Sequence, residues 1–200
     1  MRLIKIALGS VNPTVGSVRS NTDRCIRMAR EMAAADATVA AFPEQVIGGY
    51  PPEDLVQWRG FVDAQWHALQ RFATETGATG TVWVLGVVAS HRGHLYNAAA
   101  VVHRGEVLGV VPKEKLPTYN VFYEARTFSR GRVGWVEDWH GVPLGDVVFA
   151  FDFGTPGVEV CEDVWSPDGP MRRRCYEGAE LMVNLSASPY RMGVMGTRRE

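Results

Sequence analysis

Residues 81–113 read TVWVLGVVASHRGHLYNAAAVVHRGEVLGVVPK. The apolar runs 81–89, 95–103 and 106–111 have strand length, and Arg104-Gly105 marks a tight hairpin turn between the last two. Working outward, 38–42 is a further short strand stopped by Pro43, and 3–8 reads as a buried strand. Downstream, 147–153, 158–161 and 181–185 resume the strand pattern. Helical spacing governs 17–35, where Val18, Cys25, Ile26, Met28, Ala29 and Met32 recur while Arg24, Arg27 and Arg30 can face water. A second helical pattern covers 53–76 around Leu55, Phe61, Trp66, Leu69 and Phe72, and a third, 168–178, has Asp168 as its N-cap. Strands mixed with two or three helices predict a layered α/β domain. Residues 112–145 are aromatic and poor in periodicity, a composition that predicts a site-forming loop; Trp135 and Trp139 within it read as core packing before partner surface.

With 200 residues, 46% of them apolar, and a net charge of -1, the chain can bury a sizeable core in one domain. Basic residues do not cluster beyond Arg172 to Arg174, so there is no electrostatic footprint for nucleic acid or an anionic membrane. Three cysteines at long irregular spacing suggest neither a disulfide framework nor a metal site, and reduced thiols fit a cytoplasmic location. No run approaches the roughly 18 apolar residues of a membrane span. A small-molecule substrate or a protein partner is expected.

Three polar residues lie just beyond the C-terminal ends of apolar strands, where α/β folds place reactive groups. Cys161 ends the run Gly157-Val158-Glu159-Val160; Glu44 follows Phe42-Pro43; Lys113 follows Val111-Pro112, with Lys115 two residues on. A thiol is a nucleophile once its proton is removed, a carboxylate can remove it, and an ammonium can stabilise an oxyanion. Singly, each has an ordinary reading: a buried structural cysteine, a solvated turn glutamate, a surface lysine. Their shared placement predicts convergence on one edge.

Four blocks carry a family resemblance: Phe42-Pro43-Glu44 with Gly49-Tyr50-Pro51-Pro52-Glu53-Asp54-Leu55; Lys113 with Leu116-Pro117-Thr118-Tyr119-Asn120-Val121-Phe122-Tyr123-Glu124-Ala125-Arg126-Thr127-Phe128; Cys161-Glu162-Asp163-Val164-Trp165; and Asn184-Leu185-Ser186-Ala187-Ser188-Pro189-Tyr190. Over nearly its whole length the chain resembles the carbon-nitrogen hydrolases of the nitrilase superfamily, in particular the glutaminase domain of glutamine-dependent NAD synthetase. The resemblance implies a four-layer αββα sandwich in which Cys161 is the nucleophile, Glu44 the base and Lys113, not Lys115, the cationic partner, with Glu124 orienting the lysine. It implies a glutamine pocket lined by Tyr119, Phe122, Glu162 and Ser188, with Glu162 on the substrate ammonium; loop packing is the other reading of Tyr119 and Phe122.

The implied reaction releases ammonia from glutamine through a cysteine thioester, with no metal or organic cofactor in this domain. Residues 1–200 would be an incomplete amidotransferase domain. ATP would be used only by a separate synthetase domain, whose Ser-Gly-Gly-x-Asp-Ser loop does not occur in these residues. A homo-oligomer is expected from the same resemblance. One departure is that Gly193 is followed by Val194, where the family usually carries a basic residue for the substrate carboxylate. Either Arg191 or Arg198 replaces that cation, or the substrate is another small amide lacking the carboxylate. A non-catalytic assembly module is the reading from a different class, since strands absent from a sandwich leave an open edge.

Overall fold

Two-residue turns with both residues at positive φ set the centre of the sheet, because that backbone twist matches the twist of the strands it joins. In the computed structural model, which describes residues 3–190, 192–197 and 199, Arg92-Gly93 and Arg104-Gly105 are such turns, with φ of 47° and 81° and of 47° and 89°. Before them come β1 (Ile6–Leu8), α1 (Val18–Ala34), β2 (Val39–Ala41) and α2 (Arg59–Thr76). The two turns join β3 (Val82–His91), β4 (His94–His103) and β5 (Glu106–Pro112) as an antiparallel meander. After it come α3 (Glu124–Thr127), β6 (Val136–Trp139), β7 (Val142–Gly145), β8 (Pro156–Val160), α4 (Pro170–Tyr176), β9 (Leu181–Leu185) and α5 (Val194–Thr197). The main sheet has the order β1-β2-β3-β4-β5-β7-β6, and β8 pairs β9 in parallel as a separate sheet.

The apolar runs of β3 and β4 are continuous because both faces are covered. Trp83, Leu85, Val87, Ala98, Ala100 and Val102 pack with Cys25, Ile26, Leu69 and Phe72 of α1 and α2. Their alternates Val82, Val84, Ala99 and Val101 meet Val158, Val160, Val183 and Leu185 of the second sheet. Outside that sheet α4 packs on β8, and the buried Arg174 guanidinium donates to the Val158 carbonyl. The layers are therefore helix, sheet, sheet, helix, the αββα sandwich expected. No helix among the described residues is long and apolar enough to cross a membrane.

Several local expectations need correction. Residues 3–8 do not form a buried strand: β1 has three residues at the sheet edge, paired only with β2, and leaves Ile6 50% and Leu8 78% exposed. Residues 147–153 are not a strand either. β7 already occupies the free edge of β5 (Val110 opposite Leu144), so Phe149 packs between the sheets and its N–H bonds the Pro156 carbonyl at 3.3 Å. The supposed loop 112–145 contains α3 and the β6–β7 hairpin, turned by His140-Gly141 at φ 54° and 84°.

The helix expected over 53–76 is broken. A 3₁₀ turn (Glu53–Gln57) gives way to extended backbone at Trp58 before α2 begins. The N-cap of α4 is Gly169, followed by Pro170 at the first helical position, while Asp168 accepts a bond from Lys115 Nζ at 2.6 Å. Trp139 is buried and donates to the Ser90 carbonyl at 2.8 Å, and Trp135 stacks on Tyr96 at 5.4 Å. Both serve core packing.

One glycine ties the sheet to the segment after β2. A Cβ on Gly86 would collide with the Gln45 backbone nitrogen and lie 2.5 Å from the Glu44 carbonyl carbon and the Pro43 oxygen. Gly86 N–H donates to Pro43 O at 3.2 Å, and Gly86 O accepts from Ile47 N–H at 3.3 Å. Only a residue without a side chain lets the strand approach this loop so closely. Gly86→Ala is therefore expected to cost about 1–3 kcal/mol or more, measured as a fall in chemical-denaturation midpoint, and to displace residues 43–45.

Candidate active site

A proline closes β2 and another ends β5, so the chain leaves the sheet at Pro43 and Pro112 and delivers Glu44 and Lys113 to the same interior point. Both are 1% exposed. Lys113 Nζ donates to Glu44 Oε1 at 2.8 Å and to the Glu124 carboxylate at 2.9 Å, Glu124 being the first residue of α3. Glu44 Oε1 also accepts from Asn97 Nδ2 at 2.7 Å, while Oε2 accepts from the Ala187 N–H at 3.0 Å. Two carboxylates and one ammonium thus share a dry site, tolerable only because each charge is paired and hydrogen-bonded.

Cys161 sits at the end of β8 with φ of 47°, the left-handed region that a residue with a side chain seldom adopts, and opens a 3₁₀ turn (Cys161–Val164). The buried carboxylate of Asp163 holds that turn. Its Oδ2 accepts from Val160 N–H at 3.0 Å, and its Oδ1 accepts from the N–H groups of Glu114 at 3.1 Å and Lys115 at 2.8 Å. One side chain therefore fastens the cysteine turn of the second sheet to the lysine segment of the first. From β9, Asn184 Nδ2 donates to the Cys161 carbonyl at 3.3 Å. Ser188 Oγ lies 3.7 Å from the sulfur.

Electrostatics follow from this burial. Desolvation, reinforced by Glu44 and opposed by Lys113, pushes the Cys161 thiol up to about 11. Burial would pull the Lys113 ammonium down, but Glu44 and Glu124 outweigh it and hold its pKa above the usual lysine value. Burial raises Glu124 against the opposing pull of Lys113, and it pushes Asp163 up to about 6 despite its backbone donors. The shift at Cys161 keeps its sulfur in the thiol form at neutral pH.

Cys161 opens onto a cleft of about 430 Å³ whose walls include Tyr119, Phe122, Glu162, Ser188 and Val194. Tyr119 Oη donates to Glu162 Oε2 at 2.8 Å, and the Tyr119 and Phe122 rings meet edge to face at 5.7 Å. Glu44 and Lys113 are not among the lining residues. Lys115 stays outside the cluster, paired with Asp168 near the surface. Arg191 and Arg198, the candidate replacement cations, lie outside the described residues. A larger, shallower groove between α1 and α2 holds Arg19, His67 and Arg71 but no cysteine among its described lining residues, and Arg71 is already paired with Asp23 and Glu75.

Sequence reading gave no role to Asn97, Asp163 or the Ala187 N–H. Asn97 had a signal: it is a polar residue inside Leu95-Tyr96-Asn97-Ala98-Ala99-Ala100-Val101-Val102, a run buried on both faces. Asp163 lay within a recognised block, but its three backbone contacts join segments distant in sequence.

Comparison with known proteins adds the family. A carbon-nitrogen hydrolase model matches residues 5–200. The chain is 36% identical over 201 residues to the glutamine-dependent NAD(+) synthetase of Thermotoga maritima, covering 100% of this chain and 33% of that protein. It is also 36% identical over 207 residues to that of Mycobacterium tuberculosis, covering 98% and 30%. The chain thus spans about a third of the length of these relatives. Among solved structures, the glutamine-dependent NAD(+) synthetase of Cytophaga hutchinsonii superposes with a TM-score of 0.87 at 26% identity, over 98% of this chain and 32% of that one. An amidase from Nesterenkonia sp. shares the fold, with a TM-score of 0.78 at 20% identity over 96% and 68%.

The upward shift of Cys161 has a direct readout. A raised pKa favours the protonated form, so the thiolate ultraviolet absorbance lost on Cys161→Ser should be absent at neutral pH and appear only as pH approaches about 11.

Proposed function

The chain belongs to the carbon-nitrogen hydrolase family of the nitrilase superfamily, and from that premise we propose that it hydrolyses the side-chain amide of glutamine, releasing ammonia for NAD synthesis. The observation that carries this reading is the buried Lys113 ammonium clamped between Glu44 and Glu124 at 2.8 and 2.9 Å, adjoining a cysteine on a left-handed turn.

Glu44 takes the Cys161 proton as the sulfur attacks the amide carbonyl, so thiolate forms only when it is used. Negative charge developing on the carbonyl oxygen falls between the Lys113 ammonium and the N–H of Glu162. Such donors contribute most in a site closed to water and fixed beforehand, about 10²–10³ in rate per donor. Glu44 then passes its proton to the departing nitrogen, leaving ammonia and a Cys161 thioester. Water, deprotonated by Glu44, attacks that thioester and restores the thiol. Glu124 keeps the lysine charged and aimed. Glu162, braced by Tyr119, receives the substrate ammonium, and Phe122 and Ser188 complete the pocket. This chemistry needs no metal or organic cofactor in the domain, and ATP belongs to a separate synthetase domain that consumes the ammonia.

One observation favours a second substrate class. Val194 is buried in the cleft wall with Cys161 and Ser188, an apolar group where the resemblance calls for a cation. On that reading the same chemistry acts on a small amide without an α-carboxylate. Ammonia release across a panel of amides separates the two: glutamine turned over no faster than simple aliphatic amides assigns the second class.

For the leading reading, a glutamine-mimicking diazo-ketone should label Cys161 in the full polypeptide, located by peptide mass spectrometry. Glu44→Gln should lower the rate by about 10²–10⁴, and Cys161→Ala should abolish ammonia release. Labelling at Cys25 or Cys175 instead would overturn the assignment.

A further inference from the structure

Asn97 is fully buried on β4, among alanines and valines, yet its side chain makes no contribution to an apolar core. Its amide nitrogen donates to Glu44 Oε1 at 2.7 Å and reaches Glu124 Oε2 at 3.5 Å. Its backbone carbonyl accepts the Lys113 N–H at 2.8 Å. One residue thus touches the base, the orienting glutamate and the main chain of the lysine. Meanwhile its own Oδ1 is buried without a hydrogen-bond partner among the described residues. A buried acceptor left unpaired is costly, so an apolar side chain here would suit folding at least as well. The amide is explained by what it does to the carboxylates.

Consider the two oxygens of Glu44. Oε1 is committed twice, to Lys113 Nζ and to Asn97 Nδ2. Among the described residues Oε2 takes one hydrogen bond, from the N–H of Ala187, the residue next to Ser188, whose hydroxyl lies 3.7 Å from the Cys161 sulfur. Glu44 also comes within hydrogen-bonding reach of the Cys161 thiol, and the less occupied oxygen is the one with capacity to accept from it. We infer that Asn97 is a positioning residue that fixes the rotation of the Glu44 carboxylate, committing Oε1 to the lysine side and reserving Oε2 for the proton of Cys161. The inference rests on the reading of Glu44 as base. Without Asn97, Oε1 loses one of its two donors and the carboxylate can turn to share both oxygens with the ammonium.

The test uses the full polypeptide carrying Asn97→Leu, which removes the donor, and the smaller Asn97→Ala, which also removes it should the leucine variant fail to fold. For either, kcat for ammonia release should fall about tenfold to a hundredfold with KM within about twofold. Asn97→Ser, with a shorter donor, should recover part of kcat. An unchanged kcat, or a loss confined to KM, overturns the inference.

Alkylation of Cys161 by iodoacetamide supplies a readout that needs no substrate. If the unsubstituted protein releases no ammonia from any amide, the proposed function fails, yet the alkylation rate still decides the role of Asn97. Slower alkylation in the variants, with a displaced pH dependence, supports it; rates equal to that of the unsubstituted protein refute it.

Discussion

A single ammonium enclosed by two carboxylates in a dry interior is the constraint on which the rest of this structure turns. Removing such charges from water is expensive, and their mutual attraction offsets that cost only when the geometry is close and the charged groups are hydrogen-bonded. Lys113, Glu44 and Glu124 meet this condition with contacts of 2.8 and 2.9 Å, supplemented by Asn97 and the Ala187 N–H. The one lysine serves two carboxyl groups at once, so each keeps lone pairs for neighbouring donors. The hydrogen-bond donors around it are therefore as much part of the electrostatic solution as the charges themselves.

That solution requires segments from distant parts of the chain to arrive together, and two features bring them there. Gly86 lets β3 lie against the backbone of residues 43–45, setting the height of Glu44 over the sheet. Asp163 joins the turn after β8 to the segment after β5 through three backbone N–H groups. The two sheets are thus coupled by polar contacts at the site as well as by the apolar layer of Val84, Val101, Val160 and Val183 between them.

The central strands were legible in the sequence because their apolar runs and Arg104-Gly105 reflect local chemistry: two covered faces and a turn of the correct twist. Glu44, Lys113 and Cys161 could be picked out for a related reason, each following an abrupt end to a strand. What could not be read depended on partners far along the chain. The β6–β7 hairpin hid because Glu137 turns inward to a hydrogen bond with His91 and an ion pair with Arg92, so its apolar residues do not alternate as in a half-buried strand. Residues 147–153 did alternate, but the sheet edge they needed was taken. Asn97 looked like a blemish in an apolar strand until the carboxylates that use its amide were in place around it.

The walls of the cleft have a different origin from the polar cluster buried beside it. Tyr119, Phe122, Glu162, Ser188 and Val194 come from turns, loop segments and a short helix, whereas Asn97 stands within a strand and Glu44, Lys113 and Cys161 directly beyond strand ends. Lineages descending from such a scaffold can exchange what the cleft admits by altering its fringe, while the cluster set by the strands is inherited intact. Diversification of diet without reinvention of chemistry is what this separation permits.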